Sequence, residues 1–112
     1  MKLLTQENRK ALPPLYEQDG KMYEAVCYVK FFTPDSNWTW YATEFSPEDG
    51  IFFGMVDGFE MEMGYFSLAE LEAAKGPMGL HIERDMYFKP KMLKDIDPRI
   101  MAKHNALKYD NA

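Results

Sequence analysis

Three polar residues near the end of the predicted sheet have a spacing that could hold a metal ion. His81, Glu83 and Asp85 alternate within residues 80–88, so in a β-strand their side chains would project from one face. Imidazole and carboxylate groups are ligands for Zn²⁺ and Mn²⁺, and such a site would support a small metal-dependent enzyme. A fourth ligand would have to come from elsewhere, and Arg84 adds a positive charge beside the three. The sequence therefore favours a solvent-facing polar edge.

The candidates for nucleophilic catalysis are the single cysteine and the two histidines. A thiolate needs a neighbouring base, and Cys27 could receive one from His81 or His104. However, Cys27 lies between Val26 and Tyr28 in an apolar segment, where a small buried thiol is the expected outcome. The sequence contains no Gly-x-Ser-x-Gly motif and no Walker-type phosphate loop. We therefore predict that the protein is not an enzyme and that it binds no cofactor.

Charge is strongly segregated along the chain. The formal net charge is -5, but residues 31–74 carry nine acidic side chains and no lysine or arginine. Residues 75–112 carry eight basic and five acidic side chains. Binding to nucleic-acid phosphates requires lysine and arginine, so the central segment is not expected to bind a duplex. The ordinary interpretation is a solvated acidic face, and the functional one is an acidic surface that contacts a basic partner.

Aromatic side chains accompany the acidic residues of the central segment. Trp38 and Trp40 follow a polar turn, and in the predicted strand 38–45 their side chains would lie on the same face as Glu44. In the predicted strand 59–66, Glu60 and Glu62 would share one face. Aromatic residues that remain exposed beside polar groups are typical of protein-binding hot spots. We therefore expect a protein-binding surface, for a partner that the sequence does not identify, made of Trp38, Trp40, Glu44, Glu60 and Glu62.

The C-terminal part of the chain offers a different binding hypothesis. Its basic side chains could bind nucleic-acid phosphates, and such binding would weaken steeply with salt. The residues concerned are Lys91, Lys94, Arg99 and Lys103, with Lys89 and Lys108 beside them. A nucleic-acid-associated protein is therefore the first alternative to a protein-binding module, and the metal-dependent enzyme is the second.

These residues have to be positioned by an α+β fold. The sequence predicts an antiparallel β-meander of four to five strands with a short N-terminal helix, a helix after the fourth strand and a C-terminal helix. Runs of aromatic and β-branched residues separated by turn formers predict the strands. The predicted strands cover residues 24–33, 38–45, 51–56, 59–66 and 80–88, and the predicted helices cover residues 6–12, 67–75 and 98–109.

Local signals predict where the helices begin. Thr5 is a suitable N-cap for the first helix. Ser67 and Glu70 match a capping box at the start of the second. Asp97 followed by Pro98 matches an N-cap with proline at the first helical position, where the missing amide costs nothing.

The clearest turn signal is Asp57-Gly58. Aspartate and glycine tolerate the positive φ angles of a two-residue type I′ turn, so residues 51–56 and 59–66 are expected to form a hairpin. Phe59 would then lie on the apolar face of the second strand. The continuous apolar run of residues 51–56 predicts a central strand that is covered on both faces.

Length and composition limit the remaining possibilities. A chain of 112 residues is sufficient for one domain; we expect residues 1–90 to form its body and residues 91–112 to form a basic, amphipathic helix or tail docked on it. A single cysteine suits a reducing compartment. No signal-peptide core and no apolar run of about 20 residues is present. A cytoplasmic protein without membrane association is therefore expected.

Several stretches of the sequence carry a family resemblance, most distinctively the run Thr-Pro-Asp-Ser-Asn-Trp-Thr-Trp-Tyr at residues 33–41. The others are residues 12–16, 29–32, 42–45, 53–54, 64–67 and 82–85. On these residues the chain resembles, over residues 3–90, the bacterial family called domain of unknown function 2958. The resemblance implies single-domain proteins of plasmids, integrative elements and phages with no established activity. It therefore implies an accessory factor of a mobile element, and it supplies no catalytic residue; His81 departs from the family pattern.

Overall fold

An antiparallel five-stranded sheet forms the centre of the protein in the computed structural model, which describes residues 2–110. The sheet has the strand order β5-β4-β3-β2-β6, and β1 and β7 form a separate two-stranded sheet. Helices accompany it at both ends of the chain and after β5, so the predicted α+β fold is confirmed. The strands are β1 Val26–Cys27, β2 Val29–Phe32, β3 Thr39–Ser46, β4 Ile51–Asp57, β5 Met61–Ser67, β6 Glu83–Arg84 and β7 Lys91–Met92. The α-helices are α1 Gln6–Ala11, α2 Leu68–Ala73 and α3 Pro98–Asp110, and short 3-10 helices cover Met22–Glu24 and Leu93–Asp95.

The sheet is built from successive hairpins. Strands β2, β3 and β4 each pair with the next strand along the chain, and β6 returns to pair with β2. The apolar strand β4 lies between β3 and β5, as its composition predicts. Apolar side chains cover both faces of the sheet in two separate clusters.

The N-terminal segment and α2 cover the first face. Leu4 of the segment and Leu71 of α2 are 2% and 4% exposed, and Leu68 packs against the same cluster. The cluster is Leu3, Leu4, Leu12, Val29, Phe31, Ala42, Phe45, Phe52, Phe66, Leu71 and Ile82. Burying an aliphatic side chain of this size contributes about 1.5–3 kcal/mol, so these leucines fix both covering segments to the sheet.

Side-chain caps set the beginnings of α1 and α2. At α1, the Asn8 amide donates to Thr5 Oγ1 at 3.1 Å, and the Thr5 amide donates to Asn8 Oδ1 at 3.1 Å. At α2, the Glu70 amide donates to Ser67 Oγ at 3.3 Å. Each bond satisfies a backbone donor that the first turn of a helix leaves unpaired. The predicted N-caps at Thr5 and Ser67 are therefore confirmed, but the hydrogen bonds of residues 2–110 do not include the return bond to the Glu70 side chain that the predicted capping box requires.

Helix α3 and the 3-10 helix before it cover the second face. The Arg99 amide donates to Asp97 Oδ1 at 2.8 Å, which confirms Asp97 as the predicted cap. Ile100 and Leu93 are completely buried in a cluster with Tyr41 and Met55 of the sheet. The C-terminal helix is therefore docked through Ile100. No helix within residues 2–110 has the length and apolar composition needed to cross a membrane.

Three predicted elements differ from the structure. The segment 80–88 forms a strand only at Glu83–Arg84, because turns at residues 76–79 and 85–88 flank it. The segment 24–33 divides into β1 and β2, which join different sheets. The hairpin between β4 and β5 has a three-residue loop, since Asp57 pairs with Met61 and the Gly58 amide donates to the Glu60 carbonyl at 3.0 Å. Positive φ occurs at other glycines but not at Gly58, so the predicted type I′ turn is wrong.

Candidate functional site

The β4–β5 loop and the segment before β3 form an open cleft of about 500 Å³. Three residues of the predicted binding surface, Trp38, Glu60 and Glu62, line it. The other lining residues are Val56, Gly58, Phe59, Met63, Gly64 and Tyr65. The structure thus brings together the aromatic and the acidic part of the predicted surface, although they are more than 20 positions apart in the sequence.

Trp38 is held in place by the turn that precedes β3. The Trp38 amide donates to Thr33 Oγ1 at 3.0 Å, and the Thr33 amide donates to the Trp38 carbonyl at 3.0 Å. Asp35 in this turn accepts the Met78 amide at 2.7 Å and ties the turn to the loop after α2. Polar turn residues therefore fix the backbone from which the indole projects.

The aromatic side chains of the cleft contact one another. The ring centroids of Trp38 and Trp40 lie 5.8 Å apart in a stacked arrangement, and those of Trp38 and Phe59 lie 5.2 Å apart edge to face. A Cβ atom at Gly58 would collide with the Trp38 ring, so the glycine allows the indole to lie against the loop. Aromatic pairs at such distances contribute about 0.5–1.5 kcal/mol beyond the burial of their surface.

Phe59 is the residue of the cleft that the sequence pattern misplaced. The sequence predicts Phe59 as the first residue of a strand over residues 59–66, on its apolar face. In the structure, Phe59 lies in the loop before β5 and is 96% exposed. The difference arises because the loop contains three residues instead of two. The loop therefore presents a large apolar ring to solvent beside Trp38.

Glu60 and Glu62 make the cleft acidic. Both side chains are exposed, and no salt bridge within the described residues involves either of them. The cation–π contacts within residues 2–110 involve the rings of Phe45, Tyr41 and Phe88, and none of these rings lines the cleft. Within residues 2–110, therefore, no salt bridge or cation–π contact engages the rings or carboxylates of this cleft, although Lys30 and Arg99 line a neighbouring pocket together with Trp38.

Glu44 does not belong to this surface, and the prediction that it is exposed beside the tryptophans is wrong. The register of β3 against β4 shifts between Ala42 and Glu44, which is the effect of a β-bulge on side-chain alternation. Glu44 is 3% exposed, and its two carboxylate oxygens accept the Tyr16 amide at 3.0 Å and the Gln18 amide at 2.6 Å. Glu44 thus anchors to β3 the loop that contains Tyr16 and Gln18, called here the N-terminal loop.

Trp40 has a supporting position rather than an exposed one. Trp40 is partly buried and packs against the core cluster of the first sheet face. Its ring also stacks on that of Trp38. Truncating Trp40 would therefore affect the core as well as the cleft, so Trp38 and Phe59 are the better probes of the surface.

The metal-site candidates are separated by their partners. His81 and Glu83 line a cleft with Lys2 and Glu72, whereas Asp85 forms an ion pair with Lys30 at 3.7 Å. Within residues 2–110, no group of three or more histidine, cysteine, aspartate or glutamate side chains is arranged to hold a metal ion.

Comparison with family models places the chain. A model described as a protein of unknown function, DUF2958, matches residues 3–95. The chain belongs to the DUF2958 family. The match includes the cleft and β1 to β7 and ends within the 3-10 helix that precedes α3. No curated protein and no solved structure matches the chain.

In this DUF2958 protein the basic stretch is engaged with its own acidic residues. Arg99 Nη2 lies 2.7 Å from Asp57 Oδ2 and 2.8 Å from Asp97 Oδ2, and Lys94 pairs with Glu24 at 3.8 Å. The Arg99 hydrogen bond lowers the pKa of Asp97, and the carboxylates raise that of Arg99. Lys91, with its ammonium 5.8 Å from the Phe88 ring centroid, and Lys103 remain exposed.

Cys27 lies in the second core cluster of this family member. Its side chain has no exposed surface, and Sγ donates to the Val29 carbonyl at 3.4 Å. Removal from water raises the pKa of the thiol far above its ordinary value of 9.0. A buried thiol with a raised pKa is a poor nucleophile.

Proposed function

We propose that the protein is a non-enzymatic protein-binding module that contacts a basic partner through the cleft of Trp38, Phe59, Glu60 and Glu62. The observation that carries the proposal is the exposed Phe59 ring, in edge-to-face contact with the half-buried Trp38, beside two carboxylates that lack ion-pair partners within the described residues. The accessory role in a bacterial mobile element that the family resemblance implies is part of the same proposal.

The chemistry of the cleft supports a protein partner. Aromatic side chains supply most of the binding energy at the centre of protein interfaces, and Phe59 and Trp38 are available for this. Carboxylates at the rim attract a basic partner over distance and exclude an acidic one. Nucleic acid is the wrong partner for this cleft, because its phosphates would be repelled by Glu60 and Glu62.

The test is capture of partners by the full chain from nuclease-treated bacterial lysate at low and moderate salt. Trp38→Ala removes the central ring, and the double variant Glu60→Gln and Glu62→Gln removes the charges. The matched controls are Tyr87→Ala, since Tyr87 is 90% exposed elsewhere on the surface, and the double variant Glu70→Gln and Glu72→Gln, since both glutamates are exposed on α2.

We expect a stoichiometric basic protein that the wild type and both controls retain and both cleft variants lose. Circular dichroism would show that every variant is folded. Retention by both cleft variants would contradict the proposal. A partner captured only from a parallel lysate that is not treated with nuclease would also contradict the proposal and would point to Lys91 and Lys103.

A further inference from the structure

The two edges of the five-stranded sheet differ in length. At one edge, β6 contains two residues, Glu83–Arg84, which is too short to direct the pairing of another strand. At the other edge, β5 contains seven residues, Met61–Ser67, and among the described residues β4 is the one strand that pairs with it. Long edge strands present unpaired backbone groups that can pair with another chain.

The hydrogen-bond pattern shows which backbone groups of β5 face outward. The Leu68 amide donates to the Gly50 carbonyl at 2.9 Å, just beyond the paired residues Ile51 and Ser67. In an antiparallel ladder this makes that pair a non-hydrogen-bonded one, and the type of pair alternates along the strand. The Gly58–Glu60 bond at the other end of the hairpin agrees with this assignment.

It follows that Met61, Met63 and Tyr65 direct their N–H and C=O groups away from β4. Within residues 2–110 no backbone hydrogen bond outside the ladder reaches these groups. They form an open row of donors and acceptors about 14 Å long, given the usual rise of a strand.

The cleft continues along this row. Four consecutive residues of β5, Glu62, Met63, Gly64 and Tyr65, line it. Successive residues of a strand point to opposite faces, so a cleft that touches all four has to include the backbone edge. Gly64 has no atom within 4 Å of the position that a Cβ would occupy, which leaves room for a side chain from a neighbouring strand.

The geometry points to an extended, arginine-bearing segment of a partner protein that adds to the sheet beside β5 and places its guanidinium in the cleft. This inference rests on the proposed function and specifies the occupant. Backbone bonds to Met61, Met63 and Tyr65 would supply affinity, and the cleft would supply selectivity, as in other cases of strand addition.

A guanidinium matches the cleft in charge and shape. Its planar face stacks on aromatic rings such as that of Trp38, and its N–H groups donate in pairs to a carboxylate such as Glu60 or Glu62. A second copy of this chain would instead bring two acidic β5 edges together, and like charges placed opposite each other in a sheet are unfavourable.

The test uses the ¹⁵N-labelled full chain and capped peptides of about eight residues, a length typical of a strand. The first peptide alternates valine and threonine around a central arginine. The second replaces arginine with citrulline, which has nearly the same shape without the charge. The third keeps arginine but carries N-methyl groups on alternate residues, which prevents strand pairing. Each peptide is titrated to millimolar concentration against the wild type, the Glu60→Gln and Glu62→Gln double variant and the Glu70→Gln and Glu72→Gln control.

We expect the arginine peptide to shift the Trp38 indole resonance and to slow exchange of the Met63 and Tyr65 amides. The citrulline and N-methylated peptides are each expected to bind about tenfold more weakly, because each loses one of the two modes of contact. The cleft double variant is expected to lose the arginine preference, and the α2 control to retain it.

Equal binding of the citrulline peptide, equal binding of the N-methylated peptide, or no binding of the arginine peptide would each overturn the inference. A concentration-dependent dimer whose β5 amides are protected without peptide would also overturn it, because a second copy would then occupy the edge. If these results accompany a partner that is still lost in Trp38→Ala, the proposed function survives and only the assigned occupant is wrong. If the partner is retained by Trp38→Ala, the proposed function itself fails.

Discussion

Gly54 and Gly64 are paired directly across β4 and β5, yet only one of them has room for a side chain. A Cβ at Gly54 would collide with the Tyr41 carbonyl of the neighbouring strand β3. A Cβ at Gly64 would meet no atom within 4 Å. The two glycines therefore have different surroundings: Gly54 allows β3 and β4 to approach, whereas the Cβ position of Gly64 faces open space.

The first prediction compares alanine at these two positions. Gly54→Ala is expected to lower the free energy of unfolding by at least about 3 kcal/mol, because its methyl group meets backbone that cannot move aside. Gly64→Ala is expected to change it by less than about 1 kcal/mol, with stabilisation as the favoured sign, because alanine restricts the unfolded chain. Urea denaturation of both variants measures the difference. Equal effects would show that the close approach at Gly54 is not required.

The second prediction concerns the buried carboxylate of Glu44. Glu44→Gln places an N–H donor opposite the Tyr16 or Gln18 amide, so one buried amide loses its acceptor. An unsatisfied buried polar group costs about 1–3 kcal/mol, and urea denaturation should show a loss of that size. Glu48→Gln, at an exposed position, is the control and should leave stability unchanged. A stable Glu44→Gln protein would mean that the carboxylate charge does not anchor the N-terminal loop.

Glu44 also shows where prediction from the sequence fails. Strict alternation from Trp38 and Trp40 places Glu44 on their face, but the irregularity after Ala42 shifts the alternation by one residue. Nothing in the local composition marks that shift, since the buried partners of Glu44 are amides more than 20 positions away. Phe59 differs from its predicted position because the loop has three residues instead of two, and the ring that packs on this loop, Trp38, lies about 20 positions away in the sequence.

Features determined by neighbouring residues were predicted correctly. The caps at Thr5, Ser67 and Asp97 depend on residues no more than three positions away. The interior position of β4, between β5 and β3, follows from its continuous apolar run. Trp38, Glu60 and Glu62 line one cleft, but their role in binding stays a prediction.

The third prediction is a pH dependence at the start of α3. The hydrogen bond from Arg99 lowers the folded-state pKa of Asp97 from its ordinary value of 3.8. A carboxyl group with a lowered pKa stabilises the fold fully above its unfolded-state pKa, and the contribution disappears as the pH falls through the folded-state value. Asp97→Asn keeps a cap-forming side chain but removes this titration.

The difference in unfolding free energy between wild type and Asp97→Asn should therefore be constant from about pH 7 to about pH 5 and shrink below about pH 4. Urea denaturation at each pH measures it. A difference that stays constant down to about pH 2 would show that the Asp97 carboxylate is not held by Arg99.

The fourth prediction concerns the reactivity of Cys27. Because burial raises the pKa of its thiol and no surface of the side chain is exposed, iodoacetamide should modify the native protein at least about a hundredfold more slowly than the protein in denaturing urea. Mass spectrometry follows the reaction. Fast modification of the native protein would reopen the nucleophilic role considered for this residue.

The last prediction links the shape of the cleft to the position of one ring. Gly58→Ala is compatible with the backbone, since Gly58 does not have positive φ, but the added methyl group displaces the Trp38 indole. Loss of the stacked and edge-to-face contacts should lower the free energy of unfolding by about 1 kcal/mol and move the Trp38 fluorescence emission to longer wavelength. Gly64→Ala is the control for stability and fluorescence, because it adds a methyl group without touching Trp38. The control for capture is Tyr87→Ala, since Tyr87 is exposed elsewhere on the surface. If binding depends on the Trp38 ring, Gly58→Ala should reduce the amount of captured partner as much as Trp38→Ala does. Full capture by Gly58→Ala protein whose fluorescence shows a displaced indole would mean that the carboxylates alone define the surface.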